Sequence, residues 1–86
     1  MSRAPVDPLL RAILESAIGQ RAMPSRLDDD TPLLGAIPEL DSMAVLAVLT
    51  QIQDDFGVII DDDEISAELF ETYGALAGFV RSKLAG

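Results

Sequence analysis

Asp41 and Ser42 stand side by side at the head of an apolar run, Met43 to Leu49, in a chain that has no histidine and no cysteine. A serine hydroxyl turns nucleophilic only when a base takes its proton, and histidine is the usual base. Lysine offers no substitute nearby. All six basic residues (Arg3, Arg11, Arg21, Arg26, Arg81, Lys83) lie outside the stretch from Leu27 to Val80, which holds thirteen of the fifteen acidic ones. Ser42 is therefore a group that another protein acts on, not one that reacts unaided.

Other chemistries are tested and set aside in the same way. Zinc lacks its nitrogen and sulfur ligands. Counting an EF-hand loop from Asp28 places Asp28, Asp30 and Glu39 at its first, third and twelfth positions. Its fifth position would be Pro32, and its sixth, which needs glycine for the turn, would be Leu33. That loop fails. The many carboxylates fall in solvated runs with nothing to separate their pKa values, so general acid–base catalysis has no support. A net charge of −9 argues against nucleic acid and for partners with basic patches. A hydrophobic share of 49% is too high for intrinsic disorder. The absence of thiols fits a reducing compartment. No apolar run approaches the roughly 20 residues that span a bilayer, and Arg11 and Glu15 interrupt any N-terminal signal, so a cytoplasmic location is expected.

The elements that position Ser42 follow from periodicity and caps. Asp7-Pro8 reads as N-cap and first helical residue, with Leu10, Ile13, Leu14, Ala17 and Ile18 as one apolar stripe, closed by Gly19 and Pro24. Residues 20–40 form a long connection, anchored by Leu27, Leu33, Leu34 and Ile37. A second helix is predicted from Asp41 to Phe56, stopped by Gly57, with Val45, Leu49, Ile52 and Phe56 inward. Val58-Ile59-Ile60 has no partner strand and reads as an extended connector. Asp61-x-x-Glu64 resembles a capping box and opens a short third helix over 62–67. Thr72 caps a fourth, with Tyr73, Leu76, Ala77, Val80 and Leu84 inward. Gly74 and Gly78 cost that helix about 1 kcal/mol each relative to alanine, which implies close packing there. The expectation is one domain over residues 1–86, with a core at 8–84. Its fold would be an all-α four-helix bundle with a long loop between helices 1 and 2 and a short helix 3.

Either Asp41 or Ser42 could be no more than the cap of the second helix. The functional alternative is a phosphate-linked group on Ser42, which free N–H groups and the helix dipole would favour and Asp41 would mildly repel. Leu40-Asp41-Ser42-Met43-Ala44-Val45-Leu46, then Phe56-Gly57-Val58 and Ile60-Asp61-Asp62, resemble an acyl carrier protein across about residues 8–84. The resemblance implies a non-catalytic carrier in which Ser42 receives 4′-phosphopantetheine from coenzyme A and the arm's thiol bears acyl groups as thioesters. It further implies a monomer in a lipid or secondary-metabolite pathway. Its partners would be a phosphopantetheinyl transferase, then an acyl-activating ligase, acyltransferase or synthase. Ile60 matches a cavity-lining position of the family, and Val45, Leu46, Ile65 and Leu69 would enclose the chain with it; ordinary core packing is the alternative for each.

Two departures from the family stand out. Glu39-Leu40 replaces the usual Gly-x before Asp-Ser, which stiffens the approach, and the Leu-Asp-Ser-Met form also resembles D-alanyl and peptidyl carriers. An aminoacyl cargo is therefore an alternative, as is an unmodified acidic adaptor. Along the second helix, Ala44, Ala47 and Gln53 stand where fatty-acid carriers commonly place acids, with Asp54 and Asp55 after them. Apolar recognition in mid-helix is expected, with charge at Asp41 and at Asp61 to Glu64, and hence dedicated partner enzymes.

Overall fold

The computed structural model describes residues 6–85. Three α-helices form there: α1 (Val6–Ile18), α2 (Ser42–Phe56) and α3 (Tyr73–Ala85). Short 3-10 turns occupy Gln20–Ala22, Asp62–Glu64 and Ala67–Phe70. The expected four-helix count is corrected to three, because the third helix resolves into the last two of these turns. Asp61 does start a turn, with its N–H donating to the Glu64 carboxylate at 3.0 Å. The chain becomes extended again at Ile65 and Ser66 before the next turn begins.

The core forms where the three helices meet. Leu10, Ile13, Leu14 and Ile18 of α1 face Val48, Leu49 and Ile52 of α2 and Leu76, Ala77 and Val80 of α3, all buried. Among the described residues no polar or charged residue is buried, so the interior is held mainly by apolar burial. Asp7 is a correction: it lies inside the first turn of α1 and does not precede it. Its carboxylate instead accepts from the Tyr73 hydroxyl at 2.7 Å and from Arg81 at 3.0 Å, tying α1 to α3.

The long connection is pinned at its middle. Leu33 and Leu34 donate backbone bonds to the carbonyls of Glu71 and Phe70, and Tyr73 and Gly74 donate to those of Thr31 and Asp29. Leu33, Ile37 and Leu40 are buried and Leu27 half-buried, but Leu34 is exposed and does not anchor. Thr72 caps α3 through its hydroxyl, which accepts from Ala75 N–H at 3.1 Å. Gly74 has a steric reason to be glycine: a Cβ there would lie 2.7 Å from the Asp29 carbonyl oxygen.

Candidate functional site

Asp41 sits in extended backbone (φ −96°, ψ −173°), and its carboxylate accepts from the Ala44 N–H at 2.9 Å. The cap is therefore the aspartate. Ser42 becomes the first helical residue, exposed, with its hydroxyl released from the capping role. The N–H groups of Ser42 and Met43 keep no acceptor within the helix, and the positive end of the helix dipole lies beside them. At its other end α2 stops at Gly57, which takes a left-handed φ of 69° and donates to the Gln53 carbonyl. Both boundaries of α2 thus come from single residues with a defined job.

The buried face of α2 is turned from the expected one. Ala44, Val48, Leu49 and Ile52 are buried, whereas Val45 and Phe56 are only half-buried. Val48 is fully covered and had no place in the expected stripe. Ala44 packs inward, and the Gln53 side chain accepts from Ile60 N–H at 3.0 Å. Of the three helix positions expected to face partners, Ala47 alone stays freely exposed.

A groove of about 410 Å³ opens beside Ser42, walled by Leu34, Val45, Leu46, Ile65, Ala67 and Phe70, with the Ser42 and Ser66 hydroxyls at its edge. Val45, Leu46 and Ile65 come together there as expected. Ile60 and Leu69 do not line it; they are buried in the core behind. Leu34, Ala67 and Phe70 were missed as lining residues. Leu34 and Phe70 meet there through the backbone pairing of the long connection with residues 70 and 71, which nothing local in the sequence announces, and Ala67 comes from the turn that ends at Phe70.

Lys83 Nζ lies 2.6 Å from the Glu64 carboxylate, and this bond, then the Asp61 N–H, holds the Glu64 carboxyl below its ordinary range. Burial first, then the hydrogen bond to Asp7, pushes the Tyr73 phenol well above its ordinary value. A larger cavity of about 580 Å³, lined by Asp7, Pro8, Arg11, Leu27, Asp28, Asp29 and Tyr73, shares no residue with the Ser42 groove. Four of its seven lining residues are charged. Among the described residues, no three acidic side chains converge on a metal-holding geometry, and no helix is long and apolar enough to cross a membrane.

Residues 8–80 match the family described as the phosphopantetheine attachment site. The chain belongs to the acyl carrier protein family. It is also similar to a holo acyl carrier protein of Nitrosomonas europaea, known from a solution NMR structure. Identity is 47% and the TM-score 0.81, over 90% of this chain and 93% of that one. No curated protein matches the chain. The three-helix layout with short turns is the acyl carrier protein fold, and carriers of this family are in general not catalysts.

The cofactor of this acyl carrier protein is 4′-phosphopantetheine, covalently attached. The residues present fit such a group. An exposed hydroxyl at a helix N-terminus suits a phosphodiester, and an apolar groove runs from that hydroxyl. When bound, the arm supplies the thiol that this chain lacks.

Proposed function

We propose that Ser42 is the attachment residue, and that the protein presents acyl groups as thioesters on its arm to the enzymes of a lipid or secondary-metabolite pathway. The observation that supports this most is the division of labour at the start of α2. Asp41 satisfies the Ala44 N–H, so the Ser42 hydroxyl projects into solvent with no structural duty. The serine oxygen would displace adenosine 3′,5′-bisphosphate from the phosphorus of coenzyme A that bears pantetheine. A base on the transferase would take the hydroxyl proton, since the chain has none to offer.

The groove supports an acyl cargo over an aminoacyl one. Its lining carries two serine hydroxyls and no carboxylate, so an α-ammonium drawn into it would lose water without gaining a counter-charge. Residues 8–84 act as one carrier domain, cytoplasmic and monomeric. Beyond the transferase, its partners are acyl-activating ligases, acyltransferases or synthases. Dedicated partners fit the outer face of α2, where Met43, Leu46 and Ala47 are exposed and uncharged.

Intact mass is the test, after incubation with coenzyme A and a phosphopantetheinyl transferase. The native chain should gain one arm, and Ser42→Ala none. A native chain that stays bare, or an Ser42→Ala chain that still gains the arm, overturns the assignment; the former leaves an acidic adaptor.

A further inference from the structure

A thin partition separates the groove beside Ser42 from the core. Ile65 lines the groove on one side and packs on the other against the core, where Ile60 and Leu69 are buried. Residues 65–68 make up the partition, and its two ends are held differently. At the far end Leu69 and Phe70 are buried, and the Leu34 N–H donates to the Phe70 carbonyl at 2.8 Å. Between the ends, the Ile65 N–H donates to the Asp62 carbonyl and the Ser66 carbonyl accepts from Leu69, so these bonds stay within the two flanking turns. The near end therefore depends on what holds Glu64.

Lys83 holds it, from 19 residues further along the chain, with Nζ 2.6 Å from the Glu64 carboxylate. The two side chains are only 22% and 33% exposed, whereas both partners of the Arg26–Asp28 and Arg81–Asp7 pairs are more than half exposed. A covered pair is screened less by salt than an open one. Lys83 Nζ also lies 5.7 Å from the centroid of the Phe79 ring, one turn earlier on α3. That contact orders the lysine stem before it reaches across, which lowers the entropy cost of the bridge. The same Glu64 carboxylate accepts from the Asp61 N–H at 3.0 Å. One carboxylate thus fixes the start of the turn and ties it to the end of α3.

We propose that Lys83 is a positioning residue for the cargo: through Glu64 it latches residues 65–68 in place and so sets how often an acyl chain on the arm passes behind Ile65 to reach Ile60 and Leu69. With the latch closed, the chain lies in the groove. With it released, the partition swings about the buried Leu69 and Phe70. The cargo's part in this rests on Ser42 bearing the arm; the latch itself does not.

Two measurements on the full chain test it, and the first needs no arm. In Lys83→Met, which keeps an apolar stem and removes the charge, amide exchange at residues 65–68 should quicken about two- to fivefold, the effect of one partly covered ion pair, while the Leu34 amide stays as it is. Glu64→Gln, which keeps an acceptor for the Asp61 N–H, should match it. The double variant should exchange no faster than either single one, because the pair acts as a unit. Native exchange rates in Lys83→Met overturn the proposal, and so do additive effects, which would reduce each residue to packing.

The second measurement compares the chain carrying an octanoyl-loaded arm with the same chain carrying the empty arm, by methyl NMR. Loading should shift the Ile60 and Leu69 methyls about two- to fivefold more in Lys83→Met than in the native chain, as the released fraction rises. Equal shifts at those methyls overturn the proposal even if exchange has quickened. Intact mass is read first. A chain that stays bare fails the Ser42 assignment alone, and the exchange result still decides the latch.

Discussion

Residues 19–41 and 57–72 both cross the molecule without an α-helix, and they are held by opposite means. The first is fixed by burial and by backbone. Leu33, Ile37 and Leu40 sink into the core, and four backbone hydrogen bonds join residues 29–34 to 70–74. The first ten residues of the second segment are fixed mainly by polar side chains at the surface. Gln53 holds Ile60 and Lys83 holds Glu64, while Ile60 is the buried residue of that stretch. A segment anchored by buried side chains opens at a higher free energy than one held by polar clamps at the surface. The groove beside Ser42 thus has one fixed wall, through Leu34 and Phe70, and one yielding wall, at Ile65 to Ala67.

This contrast is open to breakage. Leu33→Ala should do the most damage, about 2–5 kcal/mol by urea unfolding, because it empties a fully covered site under the first segment. A loss under 1 kcal/mol would deny that burial fixes that segment. Gly74→Ala should cost about 1–3 kcal/mol, since its new methyl meets the Asp29 backbone, and the melting temperature should drop accordingly. An unchanged melt would mean that residues 28–31 sit loosely on α3.

Gln53→Ala should cost about 1 kcal/mol and act locally. Amide exchange should quicken at Ile60 and its neighbours while the Leu33 and Leu34 amides stay protected. Uniform acceleration would erase the distinction between the segments. Lys83→Ala should have the smallest effect at neutral pH and show itself in acid. Glu64 titrates below its ordinary value of 4.5 in the folded chain, so its contribution is complete above that value and fades as pH falls through the lowered one. Replacing Lys83 should flatten this acid limb of the stability curve, measured by melting from pH 6 to pH 3. A limb of unaltered slope would remove the clamp from the account.

Much of the fold was legible because single residues carry unambiguous instructions. Asp41 and Gly57 bound α2, Thr72 opens α3, and the three- and four-residue spacing from Leu10 to Ile18 gives the inner face of α1. The inner face of α2 was less clear. The row Ala44, Val48, Ile52 competes with Val45, Leu49, Ile52, Phe56, and alanine adds too little hydrophobicity to decide between them. The short third helix misled because Glu64 does reach back to Asp61, yet a cap can open a single turn that goes no further. Asp7 carries a real hydrogen-bonding role, but toward partners 66 and 74 residues away, which no local rule foresees. Ser42 lies at a helix start, as the cap signal implies, and it is exposed there. Two walls of its groove, Leu34 and Phe70, are brought together by nonlocal backbone pairing.

The aspartate cap has a further consequence for how such a protein is used. A helix tied off by its own serine would fray each time that oxygen was esterified and re-form each time it was cleared. Here the knot is tied one residue earlier, at Asp41, so a substituent on Ser42 displaces nothing but water. On the proposed attachment at Ser42, installation and removal would be events at the rim, and the scaffold beneath would stay indifferent to them.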